Sequence, residues 1–127
     1  MPCGVVIVDD AADLRLLLVF ALGRDPRLTV LADVEDGAQA IEAVREHEPD
    51  VVLMDVAMPV MDGITATRLL TRDHPDLPVV VFTGYGDGRV EAEAREAGAA
   101  AFLDKTVPLT TVADTLVEIA RARPVGG

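Results

Sequence analysis

The chain alternates between short apolar runs and segments with a helical spacing of apolar residues, from its start almost to its end. The first run, residues 4–8, is apolar on both faces, as is typical of a parallel strand covered by helices. The pattern predicts five strands, at residues 4–8, 28–34, 50–54, 79–82 and 100–103. It also predicts five helices, at residues 14–22, 38–47, 63–71, 87–97 and 109–121.

Two of the helical segments have contrasting apolar faces. In the first, apolar residues recur at i, i+3, i+4, i+7 and i+8, which predicts one buried stripe. Its members are Leu14, Leu17, Leu18, Ala21 and Leu22. The fourth segment has only the thin face of Val90, Ala94 and Ala97, so we expect that helix to be weakly anchored.

Pro108 can be the first residue of the last helix, where a missing N–H does no harm.

Strand–helix pairs with short connections predict a parallel sheet with right-handed crossovers and helices on both faces. We therefore expect an α/β protein with a doubly wound, five-stranded sheet in the flavodoxin-like order 2-1-3-4-5. A chain of 127 residues fits one domain. We assign that domain to residues 1–121, and residues 122–127 to a C-terminal tail or the start of a linker.

Composition narrows the partners and the compartment. The net charge is −11, from 22 acidic and 11 basic residues, which disfavours direct binding to nucleic acid or to an anionic membrane. The single cysteine, Cys3, allows no internal disulfide and suits a reducing cytosol. No apolar run approaches the roughly 20 residues that span a bilayer. We therefore expect a cytoplasmic protein without a membrane partner.

Carboxylates follow two strands that are neighbours in the predicted sheet. Asp9 and Asp10 end the first strand, and Asp55 ends the third. Ligands of such sheets bind at the carboxyl ends of the strands, at the point where the strand order reverses. One aspartate there would usually be a helix cap, but three together repel one another unless a cation neutralises them. Oxygen ligands of this kind favour Mg²⁺ or a similar ion.

Two more strand ends carry polar groups. Thr83 ends the fourth strand with a hydroxyl, and Gly84 leaves a backbone N–H that can approach an anion. Lys105 follows the fifth strand. Each could be an ordinary turn or surface residue on its own. With the carboxylates they provide a metal site, a carboxylate nucleophile, a hydroxyl donor and a counter-cation, as in-line phosphoryl transfer requires.

Five motifs, in order and spread over almost the whole chain, resemble the receiver domain of bacterial two-component response regulators, the CheY-like phospho-acceptor module. They are Val-Asp9-Asp10, Val-Val-Leu-Met-Asp55, Met58-Pro59 with Met61-Asp62-Gly63, Phe82-Thr83-Gly84, and Phe102-Leu-Asp-Lys105. The sequence around Glu48-Pro49-Asp50 and from Gly98 to Lys105 is similar to that of receivers in LuxR- and NarL-type DNA-binding regulators.

The resemblance implies a role for each matching residue. Asp55 would accept a phosphoryl group from a sensor histidine kinase. Mg²⁺ would be bound by Asp10, Asp55 and the backbone carbonyl of Ala57, with Asp9 helping through water. Lys105 and Thr83 would contact the phosphoryl oxygens.

The resemblance also implies a switch and not an enzyme, with self-catalysed phosphotransfer and dephosphorylation only. Thr83 and Phe102 would be the switch residues, Phe102 in the aromatic position. Phosphorylation would change the surface of the fourth helix, fifth strand and fifth helix, helped by Gly86 and Gly88 before the fourth helix. We expect that change to favour a homodimer, or to control an output partner or a transcription-regulating DNA-binding domain.

Two residues depart from the family pattern. Val60 stands where glycine is frequent in the loop after Met58-Pro59, which alters the freedom of that turn. Thr106 stands where many receivers have a proline in a cis bond. A non-proline cis bond costs about 2.5–4 kcal/mol, so the sequence leaves the geometry of the Lys105 loop open.

Two other classes of function remain to be weighed. A Mg²⁺-dependent phosphohydrolase would also act through an aspartyl phosphate, but it needs an acid two residues after Asp55, where this chain has Ala57. A flavin or nucleotide binder needs glycines and free N–H groups after the first strand. The residues there, 9–13, are largely acidic.

Overall fold

The computed structural model describes residues 1–84 and 87–122, and strands and helices alternate along them. The strands are β1 (Cys3–Val8), β2 (Leu28–Val34), β3 (Val51–Met54), β4 (Val79–Thr83) and β5 (Ala101–Asp104). The helices are α1 (Ala12–Gly23), α2 (Gly37–His47), α3 (Gly63–Asp73), α4 (Gly88–Glu96) and α5 (Leu109–Ala122). Every predicted element is present, and its bounds differ from the prediction by at most two residues.

The five strands form one sheet in the order β2-β1-β3-β4-β5, and all neighbouring strands are parallel. The predicted α/β class and strand order are confirmed. The chain leaves β1 on one side for β2 and returns on the other side for β3. The strand order therefore reverses between β1 and β3, and a crevice opens beyond their carboxyl ends.

The core consists of two layers, one on each face of the sheet. Successive side chains of a strand point to opposite faces, so Val5 and Ile7 pack in the layer under α1 and α5, whereas Val6 and Val8 pack under α2, α3 and α4. All four are essentially inaccessible to solvent. This burial on both faces explains why β1 is apolar at every position. It also fixes the position of the residues that directly follow β1.

Side chains cap three of the helices at their amino ends. Asp36, Asp62 and Asp87 each accept a hydrogen bond from the backbone N–H three residues later, at the starts of α2, α3 and α4. Such a cap typically stabilises a helix by about 1 kcal/mol. Helix α1 is different, because it is preceded by Ala11 and has no side-chain cap. The first turn of α1 must therefore be fixed by other contacts.

The predicted buried stripe of α1 is correct for Leu18 and Leu22, each 1% exposed, and wrong for Leu17, which is 50% exposed. Leu16 and Phe20 are exposed with it. The physical reason is that α1 is apolar on nearly every side. Helical spacing then leaves the orientation of the helix undetermined, and packing against β1, β2 and α5 determines which leucines are buried.

Helix α4 has the thin apolar face that the sequence predicts. Ala94 is its only buried residue within the described helix, and Val90 is partly exposed. Its carboxyl end is attached to α3, because the Thr71 hydroxyl donates to the carbonyl oxygen of Ala97 at 2.7 Å. Residues 85 and 86, which precede the capping Asp87, lie outside the described part of the chain. The role of Gly86 in a shift of α4 therefore stays a prediction.

The last helix begins at Leu109, as predicted, with Pro108 just before its first residue and not within it. Pro108 precedes α5, and its carbonyl oxygen accepts from the N–H groups of Thr111 and Val112. Helix α5 continues to Ala122, and residues 123–127 of the predicted tail lie outside the described part of the chain. Within residues 1–84 and 87–122, no helix is both long enough and apolar enough to cross a bilayer.

Candidate functional site

Strand register brings the predicted carboxylates together. β1 and β3 are paired so that Val8 lies beside Met54, and the next residues are therefore Asp9 and Asp55. The Asp55 N–H also donates to the carbonyl oxygen of Val8 at 3.0 Å. Carboxylate oxygens of Asp9, Asp10 and Asp55 all lie within 4.8 Å of one another. Asp9 and Asp55 are buried and Asp10 is exposed, so the cluster opens to solvent on the Asp10 side.

Lys105 reaches back across the crevice, as the sequence predicts. Its Nζ lies 2.9 Å from Oδ2 of Asp9 and 3.2 Å from Oδ2 of Asp55. β5 carries it there, since the N–H of Lys105 donates to the carbonyl oxygen of Thr83 at the end of β4. The Lys105–Thr106 bond is trans, because the described residues include no cis peptide bond. The lysine therefore reaches both carboxylates without a cis bond in its loop.

The protein environment opposes ionisation of Asp55. Burial, followed by repulsion from Asp9, raises the pKa of Asp55 above its usual value, and the attraction of Lys105 and the Val56 N–H only partly offsets this. Burial lowers the pKa of Lys105, but its contacts with Asp9 and Asp55 outweigh burial, and the pKa is raised overall. The lysine stays charged at neutral pH, yet one ammonium does not satisfy three carboxylates.

The donor set fits a hard divalent cation. Carboxylate oxygens are the ligands that Mg²⁺ favours, and it usually keeps several waters when bound by one or two protein carboxylates. Asp10 is exposed enough to leave room for such waters. A cation beside Asp55 would offset its burial and its repulsion from Asp9, the two effects that raise its pKa. The residues present therefore match the predicted ion in ligand type and in charge.

Thr83 and Phe102 lie where the sequence places them, on adjacent strands. Thr83 is the last residue of β4 and is fully buried, and it pairs in register with Asp104 of β5. Phe102 pairs with Val81 and packs, partly buried, against the core layer under α3 and α4. A side chain at Gly84 would meet the aliphatic stem of Lys105 at 3.9 Å. The ends of β4 and β5 thus meet beside the carboxylates.

The loop between β3 and α3 folds tightly around Asp55. The Val56 N–H donates to Oδ1 of Asp55 at 2.8 Å, and the Gly63 N–H donates to the carbonyl oxygen of Val56 at 2.8 Å. Ala57 is exposed in this loop. A Cβ atom at Gly63 would overlap the backbone carbonyl of Asp55. Only glycine lets α3 start this close to the site.

Val60, in the same loop, adopts the left-handed conformation with φ of 67° and is 85% exposed. β-Branched residues rarely adopt this conformation, and the strain is about 1–3 kcal/mol. The turn at Val60 therefore stores strain that a glycine in this conformation would not have.

The sequence did not indicate that Arg15 contacts the residues around the carboxylate cluster. Its Nη1 donates to the carbonyl oxygen of Asp9 at 2.7 Å, and its Nε donates to Oδ1 of Asp33 at 3.1 Å. The guanidinium thus joins the end of β1 to β2. A bond to a backbone carbonyl leaves no mark in the hydrophobic pattern, so only the structure could identify it.

Comparisons with known proteins agree with this geometry. Residues 5–117 match the family model described as the response regulator receiver domain. The transcriptional regulatory protein DegU of Brevibacillus brevis is 36% identical over 97% of this chain, which covers 50% of that protein. The chemotaxis protein CheY of Bacillus subtilis is 37% identical over 83% of this chain and 87% of its own length.

The chain is also similar to a solved receiver structure and to part of a longer enzyme. The signal receiver domain of the response regulator NarL from Mycobacterium tuberculosis superposes with a TM-score of 0.91 at 30% identity, over 96% of this chain and 98% of that one. A protein-glutamate methylesterase/protein-glutamine glutaminase of Nitrosospira multiformis is 38% identical over 80% of this chain, but the match covers 29% of that enzyme. The chain thus spans half or less of several relatives.

Proposed function

The chain belongs to the response regulator receiver domain family, and from this we propose that it acts in the cytoplasm and that Asp55 accepts a phosphoryl group from the phosphohistidine of a sensor histidine kinase. A carboxylate oxygen of Asp55 forms the new bond to phosphorus while the bond between phosphorus and the histidine nitrogen breaks. The observation that carries the proposal is a buried carboxylate, Asp55, held 3.2 Å from the ammonium of Lys105 in a cluster of three acids.

We assign the ligands of the metal to Asp10, Asp55 and the backbone carbonyl of Ala57, with Asp9 acting through water. Bound Mg²⁺ would supply positive charge to the phosphoryl oxygens. Lys105 already contacts Asp55, so its ammonium needs little movement to reach an oxygen of a group added there. The Thr83 hydroxyl, at the end of β4, would donate to another phosphoryl oxygen.

A self-contained phosphohydrolase is less well supported. Such an enzyme needs an acid that protonates a leaving group beside the aspartyl phosphate. The position two residues after Asp55 is Ala57, which offers no proton donor. We therefore propose that the chain acts as a switch whose own chemistry is limited to taking up and losing the phosphoryl group.

A small phosphodonor tests the acceptor role. Incubation of the chain with acetyl phosphate and Mg²⁺ should add one phosphoryl group, detected by intact-mass spectrometry. Asp55→Asn should abolish the addition, because an amide oxygen is a poor nucleophile toward phosphorus. Asp76→Asn is a matched control, since Asp76 lies before β4, at the opposite end of that strand from Thr83, and it should label like the parent. Equal labelling of Asp55→Asn and parent would contradict the proposal.

We further propose that phosphorylation acts on the surface formed by α4, β5 and α5. The added group carries about −1.5 to −2 charges, and Thr83 and Lys105, at the ends of β4 and β5, would respond to it. Helix α4 can shift at low cost, since it buries little, and the hydrogen bond from Thr71 to Ala97 restrains only its carboxyl end. Phe102 would rotate inward as Thr83 moves. The output would be a homodimer, another partner or an attached DNA-binding domain.

Beryllofluoride, which mimics an aspartyl phosphate, tests the switch. Its addition with Mg²⁺ should shift the amide signals of residues 84–105 in NMR spectra, and sedimentation should report any dimer. Unchanged signals throughout this segment would contradict the switch. Shifted signals in a protein that stays monomeric would keep the switch and exclude the homodimer as its output.

A further inference from the structure

The turn between β1 and α1 holds two of the three clustered carboxylates, and few contacts fix it. Oδ1 of Asp9 accepts from the Ala11 N–H at 2.9 Å, and the Asp9 N–H donates to the carbonyl oxygen of Val34 at 3.0 Å. Among the described residues, the Asp10 side chain has no hydrogen-bond or ion-pair partner. The position of the Asp10 carboxylate therefore depends on the backbone of this turn.

Arg15 supplies the missing constraint. α1 has no side-chain cap, and Arg15 lies on its first turn, with its own N–H bonded to the carbonyl oxygen of Ala11. The Arg15 guanidinium then turns back to the carbonyl oxygen of Asp9, the peptide that leads directly into Asp10. Asp33 on β2 holds the other edge of the guanidinium, and the Arg15 side chain is 19% exposed. Two donors in a rigid plane thus join α1, the turn and β2.

We propose that Arg15 is a positioning residue for the Mg²⁺ site: through the carbonyl oxygen of Asp9 it fixes the turn that presents the Asp10 carboxylate to Asp55. Asp33 orients Arg15 for this role. The inference rests on the proposed function, because it assumes that the carboxylate cluster binds Mg²⁺.

Charge and geometry make opposite predictions for Arg15. A positive guanidinium near a cation site repels the cation, so its removal should tighten Mg²⁺ binding if charge alone mattered. If Arg15 positions Asp10, its removal should weaken binding, since loss of a supporting partner of a metal ligand typically reduces affinity by about 10–100-fold. The direction of the change therefore separates positioning from simple electrostatics.

Titration calorimetry with Mg²⁺ at constant ionic strength is the test. Arg15→Gln should weaken Mg²⁺ binding about 10-fold, and Arg15→Lys should recover part of the loss, because one ammonium cannot hold both Asp9 and Asp33 in the same plane. Asp33→Asn should weaken binding by a smaller factor. Arg45→Gln is the matched control, because Arg45 forms an exposed ion pair with Glu42 on its own helix and has no contact with the carboxylate cluster among the described residues, and it should bind like the parent.

A second readout excludes a merely structural role. Phosphorylation of Arg15→Gln by acetyl phosphate should recover the parental rate at saturating Mg²⁺, whereas the Mg²⁺ concentration giving half the maximal rate should rise. Melting in EDTA reports the stability of each variant separately. A lower melting temperature with unchanged Mg²⁺ affinity would overturn the proposal, and so would tighter binding.

Asp10→Ala separates this inference from the function on which it rests. Loss of Mg²⁺ binding in Asp10→Ala with normal binding in Arg15→Gln would overturn the role of Arg15 alone. Normal binding in both would overturn the metal site. If Arg15→Gln does not fold, Arg15→Lys and Asp33→Asn carry the test, and parental affinity in both would overturn the proposal.

Discussion

Asp10→Ala is expected to reduce Mg²⁺ affinity about 100-fold or more, the upper end of the loss seen when only a supporting partner of a ligand is removed. Asp10 is the exposed member of the cluster, and its oxygen lies within 4.8 Å of those of Asp9 and Asp55. Its removal takes away a proposed direct ligand and leaves Asp9 and Asp55 paired with Lys105. Titration calorimetry measures the change, and phosphorylation should fall in parallel at limiting Mg²⁺.

The control for this change is Asp13→Ala. Asp13 has the same charge, lies three residues away and is exposed on the first turn of α1. The Asp13→Ala substitution should change Mg²⁺ affinity by less than a few fold, because solvent and salt screen an exposed charge that lies apart from the ion. Equal losses in both variants would mean that the ion responds only to the total negative charge. Equal affinity of Asp10→Ala and parent would mean that the carboxylate cluster is structural.

Gly63→Ala is expected to lower the free energy of unfolding by about 3 kcal/mol or more, the upper end of the range for an overpacked interior. The added methyl group would overlap the backbone carbonyl of Asp55 and approach Cγ of Met54 at 3.0 Å. Backbone cannot yield as a flexible side chain can. The start of α3 or the end of β3 must then move, and Asp55 moves with it. Urea unfolding measures the loss of stability, and labelling by acetyl phosphate measures the damage to the site.

Gly88→Ala provides a closely matched comparison. Both glycines are the first residue of a helix and both follow an aspartate that caps it. A Cβ at Gly88, however, would meet no atom of the described residues within 4 Å other than those of its chain neighbours and its own helix backbone. This change should leave stability unaltered or raise it by about 0.4–1 kcal/mol, as expected where alanine fits. Similar effects of the two substitutions would show that the close approach at Gly63 does not constrain the site.

The fold could be predicted from the sequence because both of its periodicities are clear. β1, β3 and β4 are buried on both faces and are apolar apart from Thr83 at the end of β4. Short connections between alternating elements also restrict the topology of the sheet. The strand order then brings the ends of β1 and β3 together. For this reason the proximity of Asp9, Asp10 and Asp55, and the reach of Lys105 to Asp9 and Asp55, could be predicted from the residues alone.

Features that depend on packing between distant segments could not be predicted. The leucine-rich α1 has apolar residues on almost every side, so spacing did not reveal that Leu17 is exposed. The bond from Arg15 to the carbonyl of Asp9 involves a backbone atom, which every residue has. Val60 differs from these residues, because the sequence did show that it is unusual in the turn. The sequence did not show that Val60 adopts the left-handed conformation.

Reductive mapping of the phosphorylated residue tests the central claim most directly. Borohydride converts an aspartyl phosphate to homoserine, and peptide mass spectrometry then locates it in the chain. After labelling with acetyl phosphate and Mg²⁺, homoserine should appear at position 55 and at no other aspartate, and it should be absent when Mg²⁺ is withheld. Homoserine at Asp9 or Asp10, or a phosphate on Thr83 that survives alkali, would contradict the assignment of Asp55 as the acceptor.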